Sequence, residues 1–212
     1  MSYDVAIVGG GNAGLCAALT ARRAGARVVV LECAPPHARG GNSRHVRNLR
    51  CAHAAPTDIL TDSYSEEELL ADLRRVNDGE TDESLARLVV ERSAECVPWL
   101  REHGVRFQAS LRGTLQLSRT NAFFLGGGTA LMNSHYAAAE RAGIDIRYDS
   151  ELAALELDGR ACRALTLRTR AGTEQLRAAS VVLAAGGFEA NLDWLRAAWG
   201  DAARNFLVRG SP

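Results

Sequence analysis

Three glycines near the start of the chain are spaced as G-x-G-x-x-G in the run Gly9-Gly10-Gly11-Asn12-Ala13-Gly14. In such a run the first glycine permits a tight turn, and the second lets a pyrophosphate approach the backbone. The third lets a helix pack closely on a strand. The N–H groups that open the helix then face the phosphates. The spacing therefore predicts a dinucleotide site, provided that a strand precedes Gly9 and a helix follows it.

One carboxylate stands where a ribose contact belongs. Glu32 comes 18 positions after Gly14 and directly follows a short β-branched run, Arg27 to Leu31. A carboxylate at the end of the second strand of such a unit accepts hydrogen bonds from ribose hydroxyls. We therefore expect Glu32 to bind ribose. An acid at this position suits an unphosphorylated ribose, so the motif favours FAD or NAD over NADP.

A second group of reactive side chains lies in GGNSRHVRNLRCAH, which spans residues 40 to 53. Its arginines, histidines and cysteine could form a nucleic-acid patch, a metal site or a loop beside a cofactor; they are Arg44, His45, Arg47, Arg50, Cys51 and His53. Cys51 and His53 supply too few ligands for a metal ion, and we expect no metal site. Lys+Arg and Asp+Glu both total 25, which argues against a nucleic-acid binder built on bulk charge.

A third motif, Ala184-Ala185-Gly186-Gly187-Phe188, follows an apolar run late in the chain. Glycines at the carboxyl end of a strand let a ligand or another backbone come close. Together with the first motif, it predicts a dinucleotide that is contacted from two distant segments.

The patterns that must position these residues are those of an α/β fold. Buried strands are predicted at 3–8, 27–31 and 180–188, with a further strand at 144–148. Helices are predicted at about 12–24 with Gly25 as the C-cap, and at 66–77, 82–102 with a kink at Pro98, 126–143 and 191–199. Residues 151–178 alternate like a small antiparallel β-meander, 105–125 resemble short extended pieces, and 34–65 have no clear periodicity.

Composition limits the remaining classes of protein. The hydrophobic fraction of 47% is typical of a globular domain with a full core. The five cysteines show no C-x-x-C pair, so we expect reduced thiols, as in the cytoplasm. No apolar run approaches the roughly 18 residues that span a bilayer, and the first residues lack a signal-peptide layout. We expect a cytoplasmic protein that meets a membrane only through a partner. The three tryptophans, in helical segments, are expected to pack inside.

Several runs resemble the flavoprotein subunits of the fumarate reductase and succinate dehydrogenase superfamily. They are DVAIVGGGNAG, GGNS, FLGGGTALMNSHYAAAERAGIDIRYD and VVLAAGGFEAN, and the resemblance covers essentially all 212 residues. It implies a doubly wound FAD-binding domain of the glutathione-reductase type. Within the superfamily, GGNSRHVRNLRCAH and RTNAFFLGGG are most similar to FAD-dependent tricarballylate dehydrogenases and to the flavoprotein half of a cobalamin-biosynthesis enzyme.

The resemblance also implies roles for individual residues. Those expected to contact FAD are Gly9, Gly10, Gly11, Asn12, Ala13 and Gly14 at the pyrophosphate, Glu32 at the ribose, Gly40, Gly41, Asn42 and Ser43 beside the flavin ring and the pyrophosphate, Leu152 at the adenine, and Ala185 and Gly186 as a second contact. Relatives that bond FAD covalently use a histidine in the flavin-side loop. Asn42 falls at that place, so FAD is expected to be non-covalent. The cations of residues 44–53 can then face the flavin or an anionic substrate, and their individual roles stay open.

For activity, the resemblance implies removal of a hydride and a proton from adjacent carbons of a polycarboxylate. Tricarballylate would give cis-aconitate, with electrons leaving to a membrane-bound iron–sulfur and haem partner. The family's flavoproteins are longer, so residues 1–212 are expected to be the first segment of the FAD-binding domain, without the capping domain or the C-terminal return segment. Catalytic residues are expected in those later parts. Rival hypotheses are a fumarate-reductase-like or 3-ketosteroid-dehydrogenase-like enzyme, a cobalamin-pathway flavoprotein, and a non-catalytic FAD-binding module.

Overall fold

A computed structural model of the chain describes residues 3–110, 116–159 and 161–205. The strands within those residues are β1 (Tyr3–Val8), β2 (Val28–Leu31), β3 (Asn48–Arg50), β4 (Asn121–Phe123), β5 (Asp145–Arg147), β6 (Glu151–Asp158), β7 (Ala161–Thr169), β8 (Gly172–Leu176) and β9 (Ala178–Leu183). The helices are α1 (Asn12–Arg23), α2 (Glu66–Val76), α3 (Glu83–Glu102), α4 (Gly127–Arg141) and α5 (Leu192–Trp199). Single 3-10 turns lie at Gly41–His45, Leu117–Arg119 and Gly200–Asn205.

The described residues form two compact units, one within 1–44 and 135–212 and the other within 45–134. The first unit contains a parallel sheet in the order β5-β2-β1-β9. β6, β7 and β8 form a separate three-stranded antiparallel sheet, which is the predicted meander. The predicted α/β fold is therefore confirmed.

Helix α1 and the meander pack on the parallel sheet of the first unit. Helix α1 packs on β1 and β2 with Leu15, Ala18 and Leu19 buried. A hydrophobic cluster joins the parallel sheet to the meander, and consists of Ala6, Val8, Val29, Leu31, Leu165, Leu167, Leu176 and Ala178. Because side chains alternate along a strand, β1 and β2 present one set to α1 and the other to the meander. β2 is therefore buried at all four positions.

The second unit contains helices α2 and α3, which pack on each other, and the two-stranded sheet of β3 and β4. Helix α2 begins at a capping box, in which Ser65 Oγ accepts from the Glu68 N–H and the Glu68 carboxylate accepts from the Ser65 N–H. This exchange satisfies two donors that would otherwise lack partners at a helix start. The unit's cores include Tyr64, Leu70 and Val90.

Two predictions about burial are wrong. The predicted strand at 180–188 ends at Leu183, and it is not buried, since Val182 is 37% and Leu183 62% exposed. Within the described residues β9 pairs only with β1, so it is an edge strand with little to cover it. The tryptophans of α5 are not packed inside either, because Trp194 is 63% and Trp199 59% exposed. The predicted burial of β1 holds from Ala6 to Val8, while its first three residues are half-buried.

Other predicted elements need smaller changes. The described part of residues 105–125 contains short extended pieces, as predicted, in strand β4 and in an isolated bridge between Phe107 and Phe124, and in addition a 3-10 turn. Residues 111–115 of that prediction lie outside the described residues. Helix α3 runs without a break through Pro98, from Glu83 to Glu102, and the kink at Pro98 stays a prediction. Gly25 follows α1 with φ +90°, as expected of a glycine that ends a helix.

Candidate functional site

The carboxyl ends of the four parallel strands meet at one edge of the sheet. Gly9 follows β1, Glu32 follows β2, Tyr148 follows β5 and Ala184 follows β9. In open parallel sheets, ligands bind outside this edge because loops and helix N-termini converge there. The first motif, Glu32 and the third motif therefore share one edge in the first unit, although Gly9 and Ala184 are 175 positions apart.

Two glycines of the first motif are required by close backbone contacts. A Cβ on Gly9, at φ +103°, would lie 2.3 Å from the Ala184 carbonyl oxygen. A Cβ on Gly14 would lie 1.9 Å from the carbonyl oxygen of Gly9. Side chains cannot occupy either place without moving the backbone, which is the tight turn and the close helix packing that the motif predicts.

Gly11 differs, because the space above it is open. A Cβ there would have Ser43 Oγ at 3.6 Å and the Gly40 carbonyl oxygen at 3.8 Å as its nearest neighbours. Gly11 is also the N-cap residue of α1, and it supplies no side-chain hydrogen bond to the helix. The Asn12 N–H donates to Ser43 Oγ at 3.0 Å. This helix start is therefore an open, positively polarised surface bordered by a hydroxyl, which suits a phosphate.

The Glu32 carboxylate is 4% exposed and held by several donors. Its Oε1 accepts from the Ala34 N–H at 2.9 Å, and its Oε2 accepts from the Gly40 N–H at 3.2 Å and from the Tyr136 hydroxyl at 3.1 Å. A buried carboxylate needs such donors because it has lost its water. Glu32 is therefore fixed beside the first motif and beside the start of the GGNS loop.

The GGNS loop joins the first and third motifs. Gly41 to His45 form a 3-10 turn in which Ser43 faces the Asn12 N–H, as described above. The Asn42 amide donates to the carboxylate of Glu189, just beyond the third motif. The structure thus brings together Gly9–Gly14, Glu32, Gly40–Ser43 and the residues that follow β9.

The other residues predicted to contact FAD have varied surroundings. Gly10 is buried and Ala13 is exposed in the first turn of α1, while Ala185 and Gly186 are exposed beyond β9, with Gly186 at φ +77°. Leu152 lies near the start of β6, and its side chain packs on the cluster between the two sheets. Two residues earlier, the Ser150 N–H donates to the Glu32 carbonyl oxygen at 3.0 Å, so Leu152 lies toward the Glu32 side of the site.

The arginine and histidine side chains of residues 44–53 lie in different surroundings. Within the described residues Arg44, which is half-buried in the first unit, and Arg47, which is exposed in the second, make no ion pair. Arg50 instead pairs with Asp72 at 3.2 Å in the second unit. The ring nitrogens of His53 lie 2.9 Å and 2.6 Å from the carbonyl oxygens of Cys51 and Asp62, which is a structural role.

Sequence reasoning missed a set of residues that surround Glu32. Tyr136 of α4 is fully buried, and its hydroxyl lies 2.9 Å from the Gly10 carbonyl oxygen. The Arg39 guanidinium lies 4.1 Å from the centre of the Tyr136 ring and donates to the Tyr148 hydroxyl at 2.6 Å. Burial, and then the Glu32 carboxylate, raise the pKa of Tyr136, so its hydroxyl stays protonated. The one local signal is an aromatic residue among the small residues of SHYAAAER.

The described residues were also compared with the requirements of a second pocket, a metal site and a membrane span. An open groove lined by Tyr3, Asp4, Arg163 and Arg177 lies at the amino ends of β1 and β9, opposite the motif edge. No group of three or more His, Cys, Asp or Glu side chains could hold a metal ion in the described part of the chain. Within the same residues, every helix is too short or too polar to cross a bilayer.

A protein-family model described as FAD binding domain matches residues 4–209 of this chain. A probable fumarate reductase of Shewanella frigidimarina is 30% identical over 200 residues, which cover 91% of this chain and 33% of that protein. A vinyl phenol reductase of Lactiplantibacillus plantarum is 26% identical over 210 residues, which cover 92% of this chain and 40% of that protein. The chain thus spans less than half the length of these curated relatives.

Solved structures share the fold. The structure of 3-ketosteroid-Δ4-(5α)-dehydrogenase from Rhodococcus jostii aligns with a TM-score of 0.81 at 24% identity, over 93% of this chain and 48% of that one. The open conformation of a flavocytochrome c3 fumarate reductase aligns with a TM-score of 0.78 at 25% identity, over 94% of this chain and 37% of that one.

Proposed function

Because this chain belongs to the FAD binding domain family, we propose that it is the first segment of the flavin-binding domain of a dehydrogenase that acts on adjacent carbon atoms. The observation that carries the proposal is the convergence of Gly9–Gly14, Glu32 and the GGNS loop on one edge of the sheet. FAD, when bound, supplies the ring that accepts a hydride from substrate. The protein's own residues bind and orient it.

The pyrophosphate of FAD fits at the start of α1. Gly11 leaves the approach open, and the first N–H groups of the helix carry the partial positive charge that an anion needs. Ser43 Oγ already accepts from the Asn12 N–H. We assign Gly9 to Gly14 and Ser43 to the phosphates. Asn42, Gly40 and Gly41 are assigned to the flavin side, with Ala185 and Gly186 as the second contact.

The adenosine half of FAD is assigned to the Glu32 side of the site. Glu32 is held rigidly by backbone N–H groups, so its carboxylate can receive a ribose hydroxyl with little reorganisation. Leu152 and its neighbours at the start of β6 would border the adenine. Asn42 occupies the place at which covalent relatives carry a histidine, and its amide is bonded to Glu189. FAD is therefore proposed to bind non-covalently.

For the parent protein's substrate, we propose a polycarboxylate, with tricarballylate as the first candidate and cis-aconitate as its product. The supporting cation is Arg44, which is half-buried and has no acidic partner in the described residues. A half-buried guanidinium needs an anion, and its planar fork suits a carboxylate. Electrons would leave through a membrane-bound iron–sulfur and haem partner, which would place the protein in the cytoplasm at the inner face of a membrane.

A fumarate reductase is the second candidate, since the Shewanella relative is 30% identical and is named as one. A 3-ketosteroid dehydrogenase has the same fold, and its substrate carries no carboxylate to pair with Arg44. The cobalamin-pathway and non-catalytic hypotheses stay as alternatives without a structural feature of their own.

The substrate class can be tested on the protein that carries this segment, loaded with FAD. Under anaerobic conditions, bleaching of the flavin absorption band would be measured after addition of tricarballylate, succinate or a 3-ketosteroid. Reoxidation of the reduced enzyme would be measured after addition of fumarate. We expect tricarballylate to bleach the flavin fastest. Bleaching by the steroid alone would contradict a carboxylate substrate.

Substitutions of two arginines test whether Arg44 binds the substrate carboxylate. Arg44→Gln is expected to raise the KM for the carboxylate roughly 10- to 100-fold, because a charge-assisted bidentate pair is lost. Arg50→Gln removes an equal charge from an arginine that pairs with Asp72, and is expected to leave KM within about twofold. Equal effects of the two substitutions would contradict the assignment of Arg44.

A further inference from the structure

We propose that Tyr136 is a positioning residue for FAD, whose hydroxyl holds the ribose-binding carboxylate of Glu32 in register with the pyrophosphate turn. The proposal rests on the proposed binding of ribose by Glu32. The Tyr136 hydroxyl lies 2.9 Å from the Gly10 carbonyl oxygen and 3.1 Å from Glu32 Oε2. One side chain from α4 therefore touches both the proposed ribose carboxylate and the proposed pyrophosphate turn.

The hydroxyl has one proton and two acceptors, so it can donate to only one of them at a time. Glu32 Oε2 also accepts from the Gly40 N–H at 3.2 Å, and Oε1 is held by the Ala34 N–H. Donation to Oε2 holds the carboxylate in the orientation that receives a ribose hydroxyl. The Gly10 carbonyl oxygen, the second acceptor within hydrogen-bonding distance, keeps the hydroxyl beside the pyrophosphate turn.

The aromatic ring is held so that the hydroxyl stays at this point. Arg39 lies over the Tyr136 ring at 4.1 Å, and it also donates to the Tyr148 hydroxyl and pairs with Glu140 at 3.5 Å. The Tyr148 ring stacks on Tyr136 with the ring centres 6.0 Å apart. A cation over the ring face and a stacked neighbour fix the ring without using its hydroxyl.

Gly10 shows how closely the hydroxyl fits. A Cβ on Gly10 would lie 2.1 Å from the Tyr136 hydroxyl oxygen and 2.6 Å from Glu32 Oε2. The G-x-G-x-x-G pattern leaves the second position open to any residue, yet here Tyr136 and Glu32 together leave no room for a side chain. The middle glycine of Gly9-Gly10-Gly11 is thus explained by Tyr136 and Glu32.

A double-mutant cycle on FAD affinity tests the proposal, with the dissociation constant measured by calorimetry on the chain. We expect Tyr136→Phe to raise the Kd roughly tenfold, about 1.4 kcal/mol, because a hydrogen bond to a charged group is lost. In the Glu32→Gln background the same substitution is expected to change Kd by less than about twofold, since there is no charged carboxylate left to hold. The matched control is Tyr3→Phe, which removes a hydroxyl from the other edge of the sheet and is expected to leave Kd unchanged.

Each outcome decides a separate point. Equal effects of Tyr136→Phe with and without Glu32 would overturn the positioning role. No effect of Glu32→Gln would overturn both the ribose assignment and this inference, and no binding of FAD by the unsubstituted chain would overturn the proposed function itself. Should Tyr136→Phe fail to fold in urea unfolding, Arg39→Met takes its place, because it removes the cation that holds the Tyr136 ring and leaves the hydroxyl, the turn and Glu32 unchanged. Its loss of affinity is also expected to shrink in the Glu32→Gln background, and a loss of the same size in both backgrounds would overturn the positioning role.

Discussion

At the scale of single residues, the four glycines of the first motif have three different physical roles. Gly9 and Gly14 are required because backbone atoms lie within 2.3 Å of the place of a Cβ. Gly10 is required by two side chains, whereas Gly11 is open to solvent and to a ligand. We therefore expect folding to depend on Gly9 and Gly14, and the proposed binding of the pyrophosphate to depend on Gly11.

The first prediction separates these roles by substitution. Gly9→Ala is expected to lower the free energy of unfolding by more than about 3 kcal/mol, because it adds a backbone clash to an unfavourable φ. Gly11→Ala is expected to change it by less than about 1 kcal/mol. Urea unfolding of the two variants and of the unsubstituted chain measures both. If Gly9→Ala were as stable as Gly11→Ala, the close contact with Ala184 would be wrong.

At the scale of elements, buried tyrosines tie neighbouring segments together in both units. Tyr64, which is 1% exposed, donates its hydroxyl to Asp72 of α2 at 2.7 Å. Burial and then this hydrogen bond raise the pKa of Tyr64 to about 12. The sequence contains no lysine. Tyrosine and cysteine side chains are therefore the main groups that titrate at alkaline pH. The contribution of one tyrosine to the free energy of unfolding can then be measured in that range.

The second prediction follows from the sign of this shift. A folded-state pKa above the ordinary value of about 10 means that the neutral phenol stabilises the fold fully below pH 10. That stability is lost as the pH rises from 10 towards 12, on the order of 1–2 kcal/mol for one buried group. Urea unfolding at a series of pH values is expected to show a shallower alkaline decline for Tyr64→Phe. Parallel declines in the two proteins would contradict the buried tyrosine's role.

At the scale of the whole molecule, local sequence signals predicted the elements and the site motifs, and missed what depends on distant partners. The strand, glycine turn and helix of residues 3–23 are encoded within one stretch, as is the meander around Asp158-Gly159. The exposure of Leu183 depends instead on which strands flank β9 in the sheet. Tyr136 meets Glu32 across 104 positions, and no local pattern records such a contact.

The predicted site residues illustrate the same division. The first and third motifs were predicted because glycines at the end of a strand are a local signal with a physical cause. The role of the GGNS loop was predicted from its resemblance to the flavoprotein superfamily. The convergence of the motifs required the parallel order of β2, β1 and β9, which puts three strand ends side by side. Arg39 carried no signal at all, since its importance comes from the ring of Tyr136 beneath it.

The most direct test of the account is the visible spectrum of the chain after it is mixed with FAD and desalted. The spectrum is then repeated on the supernatant after acid precipitation, beside a Gly11→Glu variant in which a side chain and a negative charge occupy the pyrophosphate place. We predict flavin bands in the unsubstituted chain, their full release by acid, and their absence from the variant. Equal flavin in both proteins, or none in the unsubstituted chain, would contradict the proposed site, and flavin kept in the acid pellet would contradict non-covalent binding.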